Sequence, residues 1–198
     1  MRLCLLLSLV LCLSPACSSE SSAHQFSSDI EECKSNLRSI FTGLNGYRRE
    51  HEQWPEQTGV AFFAELISSG YWENTEANAR LLTCPGVDIS KLGIAGRSPE
   101  SWFNDLSTVN GESSSYAGRD AKKFRLSSLS GPGGSLMACD NSHGPNHDNV
   151  TNVLMSDGSI LSLELASEIE FGNVPAGITE LVVGPSSTIE ELKTLSLD

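Results

Sequence analysis

The stretch N-V-L-M-S-D-G-S-I-L-S-L-E-L, Asn152 to Leu165, decides the fold class of this chain. Two β-rich runs flank Asp157-Gly158, a dipeptide that suits the two-residue type I′ turn of a β-hairpin. Counting outward from that turn pairs Met155 with Ile160, Leu154 with Leu161 and Asn152 with Leu163. On this register Leu154, Leu161, Leu163 and Leu165 share one face, because side chains alternate along a strand. That apolar face requires a partner, and the partner lies upstream. From Ser28 to about His51, Ile30, Cys33, Leu37, Ile40, Leu44 and Tyr47 recur at steps of three and four, which makes one apolar stripe on a helix. Ser28 with Glu31 forms a capping box. Asp29, Glu31 and Glu32 put negative charge in the first turn, and Arg48 and Arg49 put positive charge in the last. Gly43 and Gly46 weaken the final turns by up to ~1 kcal/mol each relative to alanine, and Pro55 stops the helix. The hairpin face is expected to pack on this stripe.

A second helix is expected from about Val60 to Ser69, with Phe62, Phe63, Leu66 and Ile67 buried and Gly70 ending it. Between Gly86 and Gly134 the chain turns rich in Ser, Gly and Asn, which reads as long loops joining short strands. Gly131, Gly133 and Gly134 lack the Gly-Lys-Ser/Thr of a phosphate loop and read as a turn. Strand character returns at Leu136 to Cys139, and Ser187 with Glu190 marks a short C-terminal helix to about Leu195. The fold class is therefore α+β, a long N-terminal helix on a small antiparallel sheet with long loops.

At the N-terminus, Arg2 precedes an apolar stretch from Leu3 to Leu13 and small residues leading to Ala16 and Cys17. This is the layout of a cleavable signal peptide, and it is too short to span a bilayer. L-S-P-A-C resembles a bacterial lipobox, in which Cys17 is acylated; cleavage by ordinary signal peptidase near Ala16 is the alternative. The organisation is then a signal over 1–16, a serine-rich tether over 17–27 and an α+β domain over 28–198. Removing residues 1–16 takes away Arg2 and moves the net charge from −12 to −13. So acidic a surface repels nucleic acid and anionic membrane faces, which leaves an N-terminal lipid as the membrane contact.

Cys4 and Cys12 leave with the signal, and Cys33, Cys84 and Cys139 remain for an oxidising compartment. No C-x-x-C or zinc-finger spacing is present. Cys33 sits on the apolar stripe, where a buried thiol behaves as a small hydrophobe. Cys84 and Cys139 flank the loop region and are expected to form the disulfide, worth about 4 kcal/mol by closing a loop of that length.

Four local patterns carry a family resemblance. They are C-K-S-N-L-R-S-I from Cys33 to Ile40; L-I-S-S-G-Y-W followed by T-C-P-G at Thr83 to Gly86; S-S-Y-A-G at Ser114 to Gly118; and His147, nine residues, then Asp157-Gly158. In their order and spacing these resemble the pilin-like H-x9-DG group, related to type IV pilins and type II secretion pseudopilins. The resemblance covers about residues 30–165. It implies a non-enzymatic envelope protein with a structural or interaction role beside envelope or secretion-type proteins. The prepilin Gly-Phe site and its ~20-residue apolar helix are absent, so an isolated, lipid-tethered head is expected rather than a filament subunit.

The densest polar cluster is D-N-S-H-G-P-N-H-D-N, Asp140 to Asn149. His143 and His147 lie four apart, but Gly144 and Pro145 prevent a helix from aiming both at one ion. Asp140, Asn141, Asp148 and Asp157 offer the oxygen ligands that calcium prefers, the basis of the alternative reading as a periplasmic calcium- or ligand-binding module. As turn residues they equally bond their own backbone. His147 is placed to hydrogen-bond across to the turn carrying Asp157. No nucleophile, base and orienting group are brought together by any motif, so no enzyme and no resident cofactor are expected.

Overall fold

The computed structural model describes residues 19–126, 134–142 and 147–198, with side chains from residue 29 onward. The signal segment 1–16, Cys17, Gly131, Gly133 and His143 lie outside the described residues. Among the described residues there are five α-helices and five strands, besides short 3-10 turns: α1 Ser19–His51, α2 Val60–Ser68, α3 Glu76–Leu81, β1 Tyr116–Arg119, β2 Ser135–Cys139, β3 Val150–Met155, β4 Ile160–Glu164, α4 Leu165–Glu170, α5 Glu190–Lys193 and β5 Leu195–Ser196. The strands form one antiparallel sheet in the order β4-β3-β2-β1-β5. The fold is thus α+β, as the periodicities indicated.

The stripe on α1 is buried from Cys33 to Tyr47, with Ile30 half-buried at its start. Cys33, Leu37, Ile40, Leu44 and Tyr47 join Phe62, Phe63, Leu66 and Ile67 of α2 and Tyr116, Leu136, Met137 and Leu154 of the sheet in one core. Helix α1 is described from Ser19, upstream of the Ser28 capping box, so residues 19–27 of the stretch expected as an unstructured tether are helical. Once a helix is nucleated, each added residue gains a hydrogen bond at little cost. Gly43 and Gly46 have a packing role that their low helix propensity hides. A Cβ on Gly43 would lie 2.5 Å from the Trp72 ring, and one on Gly46 would lie 2.0 Å from the Tyr71 hydroxyl. The two glycines let the segment after α2 press onto α1.

The hairpin is shifted by one residue from the expected pairing. Leu154 pairs with Ile160, Val153 with Leu161, Asn152 with Ser162 and Thr151 with Leu163. The Met155 amide donates to the Ser159 carbonyl at 2.9 Å, which leaves a three-residue loop over 156–158. Asp157 causes this: its Oδ1 accepts from the Ser159 amide at 2.8 Å and from the Ser159 hydroxyl at 2.6 Å. Gly158 then takes the left-handed conformation at φ 87° as the last loop residue, one of the common hairpin solutions.

A shift by one residue sends side chains to opposite faces. Leu154 and Ile160 meet the α1 core, while Leu163 and Leu165 join Val153, Val174, Leu181, Ile189, Leu192 and Leu195 in a second core. The sheet is therefore covered on both sides, by α1 and α2 on one and by the C-terminal segment on the other. Leu161, expected in the core, is 38% exposed. Leu154→Ala is accordingly expected to cost about 2–5 kcal/mol and Leu161→Ala under about 1 kcal/mol. Urea denaturation of the two variants checks this; equal losses would contradict the observed register.

α5 forms near the expected place, but its N-cap is Ile189 with no side-chain cap, so the Ser187–Glu190 capping box does not form. α3 lies between the expected second helix and the loop region, where no element was expected. Thr75 caps it by accepting from the Asn78 amide at 3.3 Å, and Arg80 pairs with Glu76 at 2.8 Å. Among the described residues no helix is long and apolar enough to cross a membrane.

Candidate metal centre

Four side chains from three regions of the sequence meet at a single point in the first core. Cys33 comes from the buried stripe of α1, and Cys139 is the last residue of β2, paired with Tyr116 of β1. Cys84 lies in the turn after α3, and His147 stands just before β3. The Cys84 turn is pinned to the sheet by S-S-Y. The Ser114 hydroxyl donates to the Leu82 carbonyl at 2.6 Å, the Cys84 amide donates to the Ser115 hydroxyl at 3.0 Å, and the Asp140 amide donates to the Ser115 carbonyl at 2.8 Å. His147 is turned inward by two successive residues in the left-handed region, Asp148 at φ 50° and Asn149 at φ 69°. Aspartate and asparagine tolerate that conformation better than other non-glycine residues. The Val150 amide closes the turn on the His147 carbonyl at 3.1 Å.

The result is a tight group. One donor atom from each of Cys33, Cys84, Cys139 and His147 lies within 4.8 Å of every other. Cys33 Sγ is 2.9 Å from Cys139 Sγ, and Cys84 Sγ is 2.9 Å from His147 Nε2. The Tyr116 hydroxyl donates to Cys33 Sγ at 3.5 Å. Relative exposure is 0% for Cys33, Cys139 and His147 and 1% for Cys84, so the group is fully enclosed. Nδ1 of His147 has no hydrogen-bond partner among the described residues.

Burial pushes the Cys84 and Cys139 thiols well above the usual thiol range. Burial also works against ionisation of Cys33, but hydrogen bonds from Cys139, Cys84 and His147 outweigh it and hold Cys33 well below that range. One sulfur is thus prepared to carry negative charge while its two neighbours hold their protons. Such a group has two chemistries open to it: binding a soft cation through sulfur and imidazole nitrogen, or losing two electrons to join two sulfurs.

This arrangement differs from what the sequence suggested. Cys84 and Cys139 are free thiols, not a disulfide, and Cys33 is a free thiol in contact with Cys139 rather than a separate apolar filler. The α1 stripe aims Cys33 at the end of β2, which the loop-closure argument could not foresee. His147 reaches Cys84 and not Asp157, whose carboxylate is engaged by Ser159 within the hairpin loop. The four oxygen-bearing residues considered for calcium are not gathered. Asp140 Oδ1 accepts from the Ser142 amide at 2.8 Å, and the Asn141 side chain donates to Thr151 Oγ1 at 3.1 Å. Among the described residues, Asp140, Asp148 and Asp157 do not converge with one another.

Sequence reasoning missed the cluster because only Cys139 and His147 lie near each other in sequence, and the segments that bring Cys33 and Cys84 to them are distant. Cys33 and Cys139 are 106 residues apart, and Cys84 and His147 are 63 apart. A signal was nonetheless present. The four patterns carrying the resemblance include Cys33, Cys84, the Ser114–Tyr116 brace and His147, so each supplies one part of the site. Compared with known proteins, the chain matches no family model, no curated protein and no solved structure.

Proposed function

We propose that this chain is a non-enzymatic, pilin-like head of the cell envelope, tethered by acyl chains on Cys17 and serving assembly or recognition beside envelope or secretion-type proteins. The observation that carries the non-enzymatic part is the sealing of its most reactive side chains. A catalytic cluster must be reached by its substrate, and this one is 0–1% exposed. The pilin-like part is supported by a long helix whose apolar stripe lies on an antiparallel sheet. The Asp157-Gly158 loop presses on the same helix, with the Phe41 ring 2.6 Å from where a Gly158 Cβ would stand. The outward residues of α1, among them Glu31, Glu32, Arg38, Thr42 and Arg49, are exposed and polar, which leaves no second apolar face for bundling with copies of itself.

The lipid anchor has a direct test. The wild type is expected to fractionate with membranes as a particle of monomer size, and Cys17→Ala with soluble protein. Recovery of the wild type in sheared surface filaments, or no change on losing Cys17, would overturn the reading.

A further inference from the structure

We infer that Cys33, Cys84 and Cys139, through their sulfurs, and His147, through Nε2, bind a single zinc ion in a closed structural site. This goes beyond the envelope reading and does not depend on it. The inference begins from what the core would otherwise contain. Leu37, Phe63, Leu136, Met137 and Leu154 belong to the same apolar core as the three cysteines. An imidazole buried there, with Nδ1 unpartnered among the described residues and Nε2 facing thiols, is a costly substitute for an apolar side chain. A cation at the centre of the group changes that balance, because it turns four poorly satisfied groups into ligands.

The geometry fits one tetrahedral ion. Zn–S bonds of about 2.3 Å and a Zn–N bond of about 2.0 Å put sulfur ligands about 3.8 Å apart. Here the donor atoms range from 2.9 Å to at most 4.8 Å apart, so an ion at their centre needs the short edges to open and the long ones to close by about 1 Å. The spacing is too small for an iron–sulfur cluster, whose cysteine ligands stand around several metal and sulfide atoms rather than one ion.

The donor set selects the metal. Thiolate and imidazole suit zinc, whereas calcium and magnesium require oxygen. Four protein ligands fill a tetrahedron with no position left for water, which is the mark of a structural rather than a catalytic zinc site. Binding releases a proton from each sulfur still protonated, and three thiolates around Zn²⁺ leave a net charge of about −1. That charge is met by a donor already in place, the Tyr116 hydroxyl on Cys33, and the backbone amide of Gly86 favours negative charge on the Cys84 sulfur. C-P-G at Cys84 to Gly86 and S-S-Y at Ser114 to Tyr116 are then the supporting shell of the ion, and their brief, separate patterns have a common cause.

Elemental analysis of the signal-processed chain, purified without chelator, tests the inference. A single zinc per chain is expected, and Cys84→Ser and His147→Gln should each lose it, whereas Asp157→Asn retains it. Because those variants can fail to fold, the wild type is also stripped and reloaded with cobalt. The expected product is a tetrahedral cobalt spectrum with thiolate charge-transfer bands and four-ligand intensity. Metal-free protein with Cys33 and Cys139 joined by a disulfide, copper or iron in place of zinc, or cobalt bound without thiolate bands would each overturn it. Membrane fractionation of the same preparations reports separately on the envelope reading.

Discussion

Stripping the zinc with a strong chelator at neutral pH is expected to lower the melting temperature of the domain by at least about 20 °C. Structural zinc contributes about 10–16 kcal/mol in small zinc-dependent folds, and a domain of this size shifts by about 2–4 °C per kcal/mol. The lower end applies here, because this chain keeps two apolar cores without the ion. The effect is still large for a physical reason. The ion joins α1, the turn after α3, β2 and the entrance to β3, and without it three thiols remain buried beside an imidazole whose Nδ1 has no partner among the described residues. Since the ligands must shed protons to bind, acidification works in the same direction as the chelator. Calorimetry before and after chelation, followed by return of zinc, measures the change. A melting temperature that does not move would show that the cluster holds no structural ion.

Gly118→Ala is expected to cost about 3 kcal/mol or more, a large loss for adding a single methyl group. A Cβ at Gly118 would stand 2.0 Å from the carbonyl oxygen of Gly59 and 3.2 Å from Cβ of Phe62. The first obstacle is backbone and cannot rotate away, so β1 and the start of α2 would have to separate. Gly59 cannot yield readily. Its φ is 65°, its amide donates to the Arg119 carbonyl at 3.1 Å, and a Cβ there would itself lie 2.5 Å from the Leu197 carbonyl. The strand being displaced is the one whose Ser114–Tyr116 entrance braces Cys84 and Cys33. The variant should therefore also hold zinc less tightly, although Gly118 touches no ligand. Urea denaturation and a chelator competition assay check the two effects; unchanged stability would mean that β1 and α2 are not in such close contact.

The legible parts of this fold were those written in local chemistry. The α1 stripe, the buried side of α2 and the β-rich runs around Asp157-Gly158 could be read from spacing alone. The register of the hairpin could not, because the dipeptide allows either a two- or a three-residue loop. The Asp157 contact with Ser159 decides between them, and that choice moves Leu163 and Leu165 away from α1. The glycines of α1 looked like weaknesses because helix propensity is local, whereas Trp72 and Tyr71 arrive from another segment. The cluster was the least legible feature. Each cysteine alone has an ordinary explanation, and only the crossing of α1 over the end of β2, with the Asp148–Asn149 turn folding His147 inward, brings the four together.

X-ray absorption at the zinc edge of the metal-loaded protein tests the central claim most directly. Three sulfurs at about 2.3 Å and one nitrogen at about 2.0–2.1 Å are expected around the ion. A first shell of oxygen or of nitrogen alone, or a zinc signal that survives unchanged in Cys84→Ser, would contradict it.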